Sequence, residues 1–163
     1  MADIVDKPTR SRMMAGIKSK NTQPEIQLRK ALHAAGFRYR LHVVGLPGRP
    51  DLILPKFEAA IQVQGCFWHR HEGCRDCTTP ASNHTFWDVK FSKTIARDKK
   101  NLQLLLDGGW RVATVWECAL RGNIEGGCFE TLSKWLMGKG NFIELPESQN
   151  SPRQDPLRVP LTE

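Results

Sequence analysis

The chain has 163 residues, enough for one domain with a hydrophobic core of its own. Hydrophobic residues at 40% and charged residues at 25% exclude a disordered or fibrous chain, and Lys, Arg, Asp or Gly interrupts every apolar stretch before it reaches bilayer length. Lys and Arg number 24 against 17 acidic residues, a formal charge of +7 that favours polyanionic partners. The N-terminal residues 1–12 are polar, without the apolar stretch of a secretory signal, so no membrane association and cytosolic residence are expected. The basic residues gather at 9–20 and 90–100, the second group beside Phe86, Trp87 and Phe91. Charge steers a protein to phosphate, and aromatic rings stack on or wedge between bases.

Residues 1–20 are expected to form an N-terminal arm with a short helix through Met13, Met14 and Ile17. Thr22 and Glu25 have the S/T-x-x-E spacing of a capping box, with Pro24 in the first turn. The helix they open should run to Ala35, bury Ile26, Leu28 and Leu32, and stop at Gly36. Positions 37–43 alternate apolar and polar residues, which predicts a half-buried strand. The Leu-Pro-Gly-Arg-Pro turn at 46–50 leads into a short strand at 51–54. A second central strand is expected over 59–64, with Ile61 and Val63 on one side and Gln62 and Gln64 on the other. Beyond an irregular stretch at 65–79, a long helix is predicted over 86–107 with Leu102, Leu105 and Leu106 inward. A third strand over 110–117 and a helix over 129–137 around Leu132, Trp135 and Leu136 complete the elements. From Leu145 to Glu163, prolines and polar residues predict a disordered tail, which leaves 21–144 as the folded domain. The order implies an α/β fold with a sheet flanked by helices.

Two groups of residues carry chemistry. Cys66, His69, His71, Cys74 and Cys77 crowd one irregular stretch, and Cys118 follows the third strand. Thiolate and imidazole suit a tetrahedral Zn²⁺ that stabilises the loop, with the fourth ligand open between Cys77 and Cys118. The second group begins at Asp51. A strand has period two, so Gln62 and Gln64 share a face and can lie beside Asp51 on the neighbouring strand. One carboxylate, a backbone carbonyl and a DNA phosphate can hold Mg²⁺, although Asp after Pro is also ordinary turn chemistry. Phe67 and Trp68 lie within the ligand cluster, where they serve either as core or as metal-fixed rings.

The runs Leu-Pro-Gly-Arg-Pro-Asp at 46–51, Gly-Cys-Phe-Trp-His at 65–69, Phe-Trp at 86–87, Gly-Trp-Arg-Val at 109–112 and Val-Trp-Glu-Cys-Ala-Leu at 115–120 occur in fixed order. Together they closely resemble the very-short-patch-repair (Vsr) DNA mismatch endonucleases, over about residues 3–137. The resemblance implies a restriction-endonuclease-like fold with a central mixed sheet, and a Mg²⁺-dependent nick 5′ to the thymine of a T:G mismatch left by deamination of 5-methylcytosine. It implies that Asp51 and the Val63 carbonyl hold the Mg²⁺, that His69 is the catalytic histidine, and that Asp98 and Glu25 support it. A capping role for Glu25 is compatible with this. Cys66, His71, Cys74 and Cys118 match the zinc ligands. Phe67, Trp68 and Trp87 match rings wedged into the base stack, and Met14 a residue reaching the DNA from the other groove.

Two positions depart from the family pattern. Val63 and Gln64 stand where its best-known member has Thr and His. A backbone carbonyl survives such a change, whereas an amide cannot titrate, so Gln64 is left with hydrogen bonding to a phosphate or a metal-bound water. The expected partner is double-stranded DNA with a T:G mismatch, with mismatch-repair proteins as candidate further partners, and the expected state is a bacterial cytoplasmic monomer that joins the nucleoid when bound to DNA. The competing readings are a zinc-stabilised module that binds mismatches without cutting, and a restriction-type nuclease on normal duplex.

Overall fold

The computed structural model describes residues 6–17, 20–121 and 127–147. Four helices and five strands follow one another: α1 (Lys7–Ala15), α2 (Gln23–Ala34), β1 (Arg40–Leu41), β2 (Leu52–Leu54), β3 (Ala59–Gln64), α3 (His84–Asp107), β4 (Arg111–Trp116), α4 (Cys128–Met137) and β5 (Phe142–Leu145). The sheet runs in the order β1-β2-β3-β4-β5. Its first two pairings are antiparallel and its last two parallel. The mixture follows from the connections: the loop 42–51 and the tight turn 55–58 join β1, β2 and β3 without a crossover, while a parallel neighbour demands a long crossover, supplied by α3 and then by α4.

Alternation along the strands divides the sheet into two faces. Leu52, Leu54, Ala59, Ile61, Ala113, Val115 and Leu145 form one buried cluster with Leu28 and Leu32 of α2 and Leu132 and Leu136 of α4. Each fully buried leucine contributes roughly 1.5–3 kcal/mol, so the two helices are held chiefly by this stripe. Ile53, Ala60, Gln62, Val112 and Thr114 alternate onto the other face, and α3 packs against β4 through its buried Leu105. Gln62 and Gln64 therefore lie on the α3 side of the sheet, away from the main core.

Several expectations from the sequence need correction. The strand expected at 37–43 shrinks to Arg40–Leu41. Phe37 is drawn into the core and its amide bonds the Leu32 carbonyl, while His42 has φ +46°, which ends extended pairing. Leu145, expected in a disordered tail, sits in a strand instead. Leu145 is buried, lies in β5 and pairs with Val115, so the sheet keeps it, and residues 148–163 lie outside those described. The capping box at Thr22 and Glu25 is not made. Thr22 is the N-cap but its side chain makes no capping bond, and the Glu25 carboxylate takes the Asn21 amide at 3.1 Å instead. Ile26 is half-buried rather than buried, and α1, which ends at Ala15 before Ile17, buries none of its residues.

Candidate active site

The turn ahead of β2 sets the site. Gly48 has φ +70°, and a Cβ there would stand 3.0 Å from the Asn101 side chain on α3, so only glycine lets this loop approach the helix. Asp51 follows, and its Oδ2 accepts the Val63 backbone N–H at 2.7 Å. The next residue along β3, Gln64, is buried and lines the same cleft. Burial raises the Asp51 carboxyl to about 6 against the opposing pull of the Val63 amide, and the Glu25 carboxylate adds to the rise.

Glu25 is itself buried, and its Oε2 accepts from Arg29 Nη2 at 2.8 Å. The same Nη2 lies 3.1 Å from His42 Nε2. Glu25, His42 and Asp51 offer ligand atoms that all lie within 4.8 Å of one another. Asp98 projects from α3 to bond His69 Nδ1 at 2.7 Å. Because a carboxylate only accepts, Nδ1 carries the proton and Nε2 the lone pair. All of these carboxylates and both histidines line one cleft of about 1000 Å³, together with Lys90 and Arg49.

A second cluster adjoins it. Tight backbone turns, with His69 N bonded to Gly65 O, His71 N to Cys66 O and Cys74 N to His71 O, fold the stretch after β3 back on itself. Cys118, from the 3-10 turn Glu117–Leu120 after β4, completes the group Cys66, His71, Cys74 and Cys118, all within 4.8 Å of one another. His71 Nδ1 lies 3.6 Å from Cys66 Sγ and 3.4 Å from Cys118 Sγ, close to the roughly 3.5–3.8 Å edge of a tetrahedron around a thiolate-bound metal. Burial pushes the Cys66 and Cys118 thiols above their ordinary range. Thiolates are stable in such surroundings beside a cation, so the donor set can hold a metal ion. Cys77 stands outside the group. Glu117 accepts the Cys66 amide at 3.1 Å, which ties the ligand loop to the end of β4.

Between the clusters lies an aromatic patch. Phe67 meets Trp68, Trp87 and Phe91 at centroid distances of 5.0, 5.6 and 5.4 Å. Lys90 lies 5.4 Å from the Trp68 ring. Phe91 is buried, whereas Phe67, Trp68 and Trp87 are half-buried and Trp68 lines the cleft. Met14 and Ile17 line it from the N-terminal side, both exposed. The sequence reading missed His42, Arg29 and Glu117. His42 was detectable in principle, as a polar position in a run predicted to form a half-buried strand.

A mixed sheet flanked by helices, with carboxylates and histidines gathered in one cleft, is the arrangement expected of a restriction-endonuclease-like nuclease. Comparison with known proteins carries the assignment further. The family model described as DNA mismatch endonuclease Vsr matches residues 2–76. DNA mismatch endonuclease Vsr of Escherichia coli (strain K12) is 39% identical over 148 residues, covering 89% of this chain and 94% of that protein. Type II nicking enzyme V.XorIIP of Xanthomonas oryzae pv. oryzae is 42% identical over 120 residues, 74% of this chain and 88% of that enzyme. Type II nicking enzyme V.NmeAIP of Neisseria meningitidis serogroup A is 41% identical over 121 residues, 74% of this chain and 86% of that enzyme. The chain belongs to the Vsr family of DNA mismatch endonucleases.

Proposed function

We propose that this enzyme is a Mg²⁺-dependent endonuclease that nicks one DNA strand 5′ to the thymine of a T:G mismatch, in repair of deaminated 5-methylcytosine. The observation that carries the reading is the meeting of Asp51, bonded to the Val63 amide at 2.7 Å, with the His69–Asp98 pair in one cleft. The relatives named as a mismatch endonuclease and as nicking enzymes support both the target and the single-strand cut.

Asp51 and the Val63 carbonyl would hold the Mg²⁺; hard oxygen donors suit that ion, and the raised carboxyl of Asp51 marks a buried charge in need of a cation. When bound, Mg²⁺ supplies charge neutralisation at the phosphate and a more acidic water. His69 accepts a proton from the attacking water at Nε2, while Asp98 holds the ring in that tautomer. Glu25 keeps Arg29 in place and raises the negative potential at Asp51. Gln64 donates a hydrogen bond to phosphate or water without titrating. Phe67, Trp68 and Trp87 wedge beside the mismatch, whose weaker pairing lowers the cost of unstacking, and Met14 enters from the other groove. Zn²⁺ on Cys66, His71, Cys74 and Cys118 is structural, since four protein ligands leave no open position.

The N-terminal arm (1–20) is a DNA-contacting element, in keeping with Met14 and Ile17 on the cleft wall. Among the described residues no helix is long and apolar enough to cross a membrane. We place the enzyme in the bacterial cytoplasm, at the nucleoid when bound to DNA, as a monomer that mismatch-repair proteins can assist. The test is a labelled duplex with one T:G mismatch in a methylation-site context, incubated with the protein and Mg²⁺, against T:A and C:G controls and an EDTA lane. A metal-dependent nick confined to the T:G duplex is expected. Cleavage of both substrates would move the target to normal duplex, and binding without cleavage would leave a recognition module.

A further inference from the structure

The proposed mechanism gives no role to His42, a residue of the cleft wall that Arg29 touches. Arg29 is a half-buried cation whose Nη2 donates to Glu25 Oε2 at 2.8 Å and faces His42 Nε2 at 3.1 Å. A guanidinium has donors and no acceptor, so the Nε2 it faces must present a lone pair. The ring proton of His42 then resides on Nδ1. That nitrogen lies on the Asp51 side, 4.0 Å from Oδ1. The spacing is too long for a direct hydrogen bond and suits one shared oxygen atom between the two groups. The His42 backbone amide donates to the Asp51 carbonyl at 3.3 Å, so ring and carboxylate are held on one frame.

We infer that His42 is a positioning residue whose tautomer Arg29 sets, and whose Nδ1–H holds an oxygen beside Asp51, either the attacking water or a non-bridging phosphate oxygen. Both are acceptors, and the nearest side chains to this point, Glu25 and Asp51, are carboxylates that cannot donate when ionised. The inference rests on the nicking reaction proposed above for its consequence, and on the geometry alone for its tautomer.

The tautomer is read first, by long-range ¹H–¹⁵N correlation on the full-length protein. His42 should show a protonated Nδ1 and a bare Nε2, and Arg29→Met should erode that preference; a protonated Nε2 in the wild type would overturn the inference whether or not the protein cuts DNA. Nicking of the T:G duplex comes second. His42→Ala and His42→Gln should lower kcat about 10- to 100-fold with little change in KM, the range expected for outer groups that orient a metal site. His42→Asn, whose amide N–H falls near the place of Nδ1–H, should recover most of the loss, and all three should melt with the wild type. Equal losses in Asn, Gln and Ala would refute the donor role, as would a loss that tracks melting temperature. Stereospecific phosphorothioates at the cleaved position separate the two acceptors: a thio effect that shrinks in His42→Ala for one isomer assigns a phosphate oxygen, and an unchanged one assigns the water. A wild type that nicks nothing would defeat the proposed function and leave the tautomer result standing.

Discussion

The Val63 amide donates to Asp51 Oδ2 at 2.7 Å, and this bond joins the end of β3 to the residue that precedes β2. It fixes one carboxylate oxygen and leaves the other to a ligand. Because Val63 is paired with Val115 in the parallel part of the sheet, the acid is referenced to the core rather than to a loop.

Asp51→Asn keeps that acceptor and removes the charge. Nicking should fall more than about 100-fold, beyond the loss typical of groups that merely orient a metal ligand. Binding of the T:G duplex in a gel shift should be equal or tighter, since a negative charge facing phosphate is gone. A variant that nicks at a comparable rate would remove Asp51 from the mechanism.

The same substitution tests the raised carboxyl. A folded-state value of about 6 against an ordinary 3.8 means the folded state binds the proton more tightly. In the metal-free protein this stabilises relative to higher pH: the contribution is full below 3.8 and is lost as pH rises to about 6. At pH 7 to 8 Asp51→Asn should therefore raise metal-free stability, by on the order of 2 kcal/mol, and near pH 4 the difference should nearly vanish. The Mg²⁺ concentration for half-maximal nicking should climb about tenfold for each unit of pH below about 6, because proton and metal compete for one group. A flat profile in both measurements would show that Asp51 titrates normally.

The Cys/His group separates two thiols that composition treats alike. Cys118→Ser should lose bound zinc and melt roughly 10 °C lower, as expected for a deficit of about 3 kcal/mol or more in a chain of this size. Cys77→Ser should keep one zinc per chain and the wild-type melting curve. Metal analysis of the two purified variants decides it, and a zinc-loaded Cys118→Ser would reopen the ligand set.

Trp68 is half-buried, borders the cleft and carries Lys90 5.4 Å above its ring. Trp68→Ala should weaken binding to the T:G duplex by about tenfold or more, in line with roughly 1–3 kcal/mol per stacked base, and weaken binding to matched duplex less. Equal losses on both duplexes would assign the ring to packing alone.

Much of this molecule was legible before folding was considered. Helical periodicity placed α2, α3 and α4 with their buried leucines, because helix faces are a local property. The crowd of Cys and His after β3 pointed to a group able to hold a metal, and five motifs in order identified the family. The short strand β5 escaped notice, since Phe142–Leu145 has no pattern apart from its pairing with β4. The supposed strand at 37–43 failed for the opposite reason, its alternation being overridden by Phe37 entering the core.

Sequence by itself determined the fold class, the family and the kinds of side chain available for chemistry, all of which depend on local pattern and residue type. Tertiary structure decided which of them meet. Cys118 reaches His71 across 47 residues, while Cys77, far nearer in the chain, is left out. Glu25 and Arg29 come from α2, His42 and Asp51 from the two ends of the connection between β1 and β2, and they become one network only once the strands have paired. A ligand set or a proton's position is fixed by distances of a few ångströms, and those distances exist only once the strands have paired and the helices have packed.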